Sequence, residues 1–127
     1  MKTHSGSKNL QASEYFTASR QGETEFNADS IGVRYEGNKI VVSAFMDIDQ
    51  PERRVFFVHI DRSTPNGEQE YDRKKISVQY QSTEGTANAL SGTVDLNRDD
   101  VNKTYHTTFK LLFVGGEIKG DFHIHSE

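Results

Sequence analysis

No cysteine occurs among the 127 residues. Disulfides, a thiolate nucleophile and cysteine-ligated zinc are thereby excluded. Positive charge is also short: 15 Lys and Arg stand against 19 Asp and Glu, a formal net charge of −4. The basic runs that exist, Arg53-Arg54 and Arg73-Lys74-Lys75, sit beside acidic residues. A nucleic-acid binder has to neutralise phosphates, so this balance argues against nucleic acid as a partner. Long apolar runs are missing as well. No window approaches the ~20 apolar residues of a membrane span, and Lys2 has no apolar stretch behind it that would make a signal peptide. The expectation is no membrane association and a cytoplasmic setting.

Apolar residues make up only 33% of the chain, yet eight Phe and five Tyr suffice to build a core from aromatics and β-branched residues. The length suits one domain and is too short for two comfortable cores. Residues 1–12 are polar and read as a flexible tail, which leaves 13–127 as a single β domain. Ala12 to Arg20 fits either a short helix or a first strand, and Glu23 to Ala28 a weak strand.

From there, short alternating runs recur between turn residues. Ile31, Val33 and Tyr35 lead into Glu36-Gly37-Asn38, and Ile40, Val42, Ala44 and Met46 follow. With Gly37-Asn38 as a two-residue loop, Tyr35 lies opposite Ile40 and Val33 opposite Val42. Ile40 to Phe45 and Val55 to Val58 are apolar on both faces, as central strands covered twice would be. Thr64-Pro65-Asn66-Gly67 reads as a turn. Runs at Ile76–Tyr80, Leu90–Leu96, Phe109–Phe113 and Ile118–Ile124 complete the pattern. The reading is all-β: an antiparallel β-sandwich of eight to nine strands, with a small β-barrel as the second architecture.

The C-terminal hairpin carries the densest chemistry. With Gly115-Gly116 as its loop, Phe109 faces Phe122, Leu111 lies over Gly120 and Phe113 faces Ile118, one coherent apolar face. On the other face His106 lies across from His125 with His123 on the diagonal, Thr108 faces His123, and Lys110 faces Asp121. Opposed side chains have Cβ atoms roughly 5 Å apart and diagonal ones roughly 7 Å. His106, His123 and His125 therefore form a candidate site for a divalent metal such as zinc, since His-x-His on a strand turns two imidazoles to one side. The bland reading is a solvated strand face, with Lys110 and Lys119 opposing a cation and Asp121 merely pairing with Lys110.

His59, on the face of Val55 and Phe57, reads more readily as a hydrogen-bonded histidine at the end of a central strand than as a buried base, with Asp61 placed to orient it. Asp95-Leu96-Asn97-Arg98-Asp99 opens like a calcium loop, but Asp100 stands where glycine is needed and His106 where the closing Glu belongs. Asp47, Asp49 and Glu52 read as a solvated loop. There is no Gly-x-Ser-x-Gly elbow, phosphate-binding Gly-rich loop or His-Glu-x-x-His. Asn102-Lys103-Thr104 fits a glycosylation acceptor only in a secretory setting.

These observations lead to a non-enzymatic binding or protein-interaction module. The apolar outer sides of the two central runs need a cover, either the N-terminal segment through Tyr15 and Phe16 or another copy of the chain. A metal-binding protein is the alternative. A hydrolase built around His59 or Asp61, and a barrel enclosing a small apolar ligand, are the further possibilities.

Overall fold

The computed structural model describes residues 7–9 and 14–125. Among them there is no helix, hence none long and apolar enough to cross a membrane. The strands are β1 (Ser7–Asn9), β2 (Tyr15–Arg20), β3 (Phe26–Asn27), β4 (Ser30–Glu36), β5 (Lys39–Met46), β6 (Arg54–Asp61), β7 (Gly67–Glu70), β8 (Ile76–Ser82), β9 (Gly85–Asp99), β10 (Thr104–Phe113) and β11 (Gly116–His125). They form one 11-stranded antiparallel sheet in the order β1-β4-β5-β6-β8-β9-β10-β11-β2-β3, with β7 added on β9. The sheet curls into a half-barrel.

The all-β antiparallel expectation holds, while the two-layer sandwich is not confirmed. Its physical obstacle is β9. The first part of this strand bonds β8 through Gly85–Asn88, and its later part bonds β10 and β7, so one ladder runs unbroken where two sheets would part. The strand turns at Gly92, whose φ of 131° suits glycine, and the β9–β10 register shifts at Leu112/Phe113. The outcome lies nearer the barrel. Of the residues read as a tail, Ser7–Asn9 pair with β4, and the remainder lies outside the described residues.

Alternation explains which side of each strand turns inward. Along β10, Tyr105, Thr107, Phe109, Leu111 and Phe113 are buried while His106, Thr108, Lys110 and Leu112 are exposed. The enclosed space is filled by rings. Phe16 stacks on Phe122 with centroids 5.0 Å apart, and Phe26, Phe56 and Phe109 close around Phe16 at 5.8, 5.3 and 6.4 Å. Offset and edge-on rings of this kind contribute about 0.5–1.5 kcal/mol per pair beyond their burial. The interior apolar-ligand reading therefore meets a space occupied by the protein's own side chains.

The first hairpin forms as expected: Tyr35 pairs with Ile40 and Val33 with Val42. The last hairpin keeps its expected faces but not its pairs. Its turn is Val114-Gly115, between the paired residues Phe113 and Gly116, two residues out of step with the register expected from sequence. Phe109 faces Gly120 and Leu111 faces Ile118, in place of Phe122 and Gly120. A slip of two leaves every residue on its face, so periodicity is blind to it. Bulk decides between the registers: the Phe109 ring lies directly over Gly120, where only a residue without Cβ leaves it room.

Candidate functional site

The outer side of β2, β11 and β10 carries the histidines. The register sets His106 directly opposite His123, with ring centroids 5.5 Å apart, and His125 opposite Thr104. The expected His106–His125 pair is thus replaced by His106–His123, which brings two imidazoles closer than the sequence reading had them. Lys110 faces Lys119 and not Asp121, and its ammonium is 4.0 Å from Glu117. Asp121 faces Thr108 and is thereby freed for the histidines. Its Oδ1 lies 3.3 Å from His106 Nε2 and accepts a 3.1 Å hydrogen bond from the Tyr15 hydroxyl. That hydroxyl is also 3.4 Å from His106 Nε2.

Tyr15 was hidden in the sequence because it comes from β2, far away along the chain. Its strand pairs Tyr15 with His123, and the two rings meet edge-on at 6.2 Å. Burial, followed by the Asp121 hydrogen bond and its negative charge, raises the Tyr15 pKa. The hydroxyl therefore keeps its proton at neutral pH and acts as a donor. Among the described residues, no three His, Asp or Glu side chains stand ready to close on one metal ion.

A second surface is built differently. Val41, Ser43 and Phe45 on β5, Val55, Phe57 and His59 on β6, and Ser77, Gln79 and Gln81 on β8 alternate away from the core. They meet in cross-strand rows: Phe45–Val55–Gln81, Ser43–Phe57–Gln79 and Val41–His59–Ser77. None of these positions is Asp, Glu, Lys or Arg, in a chain that is 27% charged. Val41 and Val55 are 1% and 7% exposed yet stand outside the central cluster, with Phe45 and Phe57 half-buried beside them. Tyr15 and Phe16, expected as the cover for this side, belong to β2 in the other part of the sheet, and Phe16 lies in the core.

His59 lies on this outer side with Val55 and Phe57, the face expected from sequence. Burial holds its pKa below the ordinary 6.5, with Lys39 and Arg34 adding to the effect and Glu36 opposing it. It is neutral at pH 7, so the three rows carry no charge, while Lys39–Asp61 in the next row and Arg34 beside Val41 bring charge to their edge. Asp61 does not orient it: one Asp61 oxygen accepts hydrogen bonds from Asn38 Nδ2 and from Ser63 N and Oγ, at 2.9, 2.9 and 2.7 Å. Those bonds, led by the Ser63 hydroxyl, lower the Asp61 pKa. The acidic loop has a similar turn role, since Asp99 accepts the amides of Val101 and Asn102 at 3.1 Å each.

No protein-family model matches the chain, and neither a curated protein nor a solved structure matches it.

Proposed function

We propose that this protein is a non-enzymatic protein-interaction module that binds through the outer side of β5, β6 and β8. The observation that carries the reading is the composition of three adjoining rows on that side, Phe45–Val55–Gln81, Ser43–Phe57–Gln79 and Val41–His59–Ser77: none of their residues is Asp, Glu, Lys or Arg, two phenylalanines are half-buried among them, and charge enters only at the edge with Lys39–Asp61 and Arg34. Charge depletion and aromatic enrichment are what mark the centre of an interface. Rows without charge can also meet their own copy without opposing like charges, so a second copy is the partner they fit first. Light scattering behind size exclusion should give the mass of a dimer, and Phe57→Lys should return it to a single chain. Placing an ammonium in the contact leaves it buried and unpaired, a cost of several kcal/mol and a hundredfold or more in dissociation constant. A single-chain mass at every concentration, unaltered by Phe57→Lys, removes self-association.

A second reading is divalent-metal binding at His106, His123 and His125, supported by the direct opposition of the first two rings and by the Asp121 oxygen at their edge. Titrating chelator-treated, labelled protein with zinc should then shift residues 104–108 and 121–125. The cross-strand pairing makes His106→Ala and His123→Ala comparably damaging, and His125→Ala less so. Loss of one imidazole ligand from such a site is expected to weaken zinc at least tenfold. Unchanged affinity in His106→Ala eliminates this reading.

A further inference from the structure

Asn66 is exposed, yet its carboxamide is bonded through both polar atoms. Nδ2 donates to the Arg98 carbonyl at 3.0 Å, and Oδ1 accepts the Arg98 amide at 2.9 Å. The side chain thus stands in for a backbone peptide group, as short amide side chains readily do. It extends the ladder between β7 and β9, which runs from Gly67–Leu96 to Glu70–Thr93. Among the described residues β7 pairs with β9 alone. At its other end the Tyr71 amide donates to the Gly92 carbonyl at 2.8 Å. The strand is pinned at both ends.

Gly67 follows, with a φ of 114°, a backbone region that side chains rarely enter. Nothing lies within 4 Å of where its Cβ would stand, so conformation and not space calls for glycine there. The turn needs glycine at 67 and the bonds to Arg98 need an amide at 66. Together they make the single Asn-Gly pair of the sequence. Asparagine is among the thermolabile residues, and it is most so where no side chain shields the next amide nitrogen.

We propose that Asn66 is a site of spontaneous deamidation, and that the docking of its carboxamide on Arg98 sets the rate. In this reaction the Gly67 nitrogen attacks Asn66 Cγ, and a new C–N bond closes a succinimide ring. The bond from Cγ to Nδ2 breaks, and the nitrogen takes up the Gly67 amide proton and leaves as ammonia. Water then opens the ring at one carbonyl or the other, which leaves aspartate or isoaspartate at position 66. In the folded chain Cγ cannot turn to the Gly67 nitrogen without breaking both bonds to Arg98. The reaction therefore waits for this end of β7 to open locally. Aspartate then sets an oxygen where Nδ2 met the Arg98 carbonyl, so one hydrogen bond is lost and two acceptors oppose each other. Isoaspartate also lengthens the main chain just ahead of the Gly67–Leu96 pair.

The full chain is aged at mildly alkaline pH, once folded and once in urea, and the mass of tryptic peptide 63–73 is followed. Deamidation should be about tenfold slower, or more, in the folded protein. Before ageing, one Asn66 Nδ2 proton should exchange slowly, which separates docking of this side chain from shielding by the fold at large. Asn66→Asp is a fixed copy of one product. It should fold and raise hydrogen exchange of the β7 amides about tenfold, with β5 and β6 unchanged. Three results would each overturn the proposal: equal rates folded and in urea, a freely exchanging Asn66 carboxamide, or β7 amides as slow in Asn66→Asp as in the parent.

Discussion

Arg54→Met is expected to cost about 2–4 kcal/mol of folding stability, because two backbone carbonyls at one turn lose charged hydrogen bonds of roughly 1.5–3 kcal/mol each. Arg54 enters from β6 on the same side as Phe56, is 9% exposed, and spends its guanidinium on the turn that joins β2 to β3. Nη1 donates to the Thr24 carbonyl at 2.9 Å, and Nη2 to Thr24 Oγ1 and the Glu25 carbonyl at 3.2 Å each. Glu23 Oε1 is 3.5 Å from Nη1 and also accepts the Tyr80 hydroxyl at 3.0 Å. The guanidinium lies 5.7 Å from the centre of the Phe26 ring. Methionine preserves much of the stem's packing, so the loss isolates the fork: the Thr24 and Glu25 carbonyls lose their charged donor at once, while Glu23 keeps Arg20 at 3.3 Å and the Tyr80 hydroxyl. Arg54→Lys should fall between the two, since one ammonium cannot serve the Thr24 and Glu25 carbonyls and Glu23 together. Tyr80→Phe removes a single bond from the same network and should cost about 1 kcal/mol. Urea unfolding of the four proteins decides it. A loss below about 1 kcal/mol for Arg54→Met would mean that water replaces the clamp and that the turn is not held by it.

The sequence shows its core because alternation and turn chemistry are local. Ile31, Val33 and Tyr35 against Ile40, Val42 and Ala44 form one hairpin in the expected register, for Gly37-Asn38 admits a single tight loop. What periodicity cannot see is any slip of two, and the histidines depend on just that. Moving His106 from His125 to His123 alters no residue's face, yet it decides which imidazoles meet and hands Asp121 from Lys110 to Tyr15 and His106. Tyr15 was out of reach for another reason. Its contact spans 106 positions, and the polar residues ahead of it left helix and strand equally open. The curl was hidden in β9. Thr86, Ala87 and Asn88 bury too little to announce a strand, although they supply the bonds to β8 that keep the sheet continuous. The same holds for Arg54, which reads in sequence as half of a basic pair and in space as the anchor of a turn.

Gly120→Ala offers a direct test of the register. Glycine in a strand ordinarily gives way to alanine with a gain of about 0.5–1 kcal/mol, because the unfolded chain loses freedom. Here the sign should reverse. A Cβ on Gly120 would run into Cζ and both Cε atoms of Phe109, a ring that is 5% exposed and held between Phe16 and Phe56 at 6.4 Å from each. That ring cannot rotate aside without disturbing its neighbours, so the variant should lose about 2–3 kcal/mol, the upper part of the range for overpacking. Phe109→Leu shortens the obstacle at its own cost of about 1–2 kcal/mol for the ring volume lost. In that background Gly120→Ala should be near neutral, a coupling of about 2 kcal/mol between the two sites. In the register two residues away, Leu111 would face Gly120 and the coupling would pass to Leu111. Additive losses for Gly120→Ala and Phe109→Leu, with coupling to Leu111→Ala instead, would overturn the pairing of Phe109 with Gly120. The same result would return His106 to His125 and dissolve the His106–Asp121–Tyr15 contact.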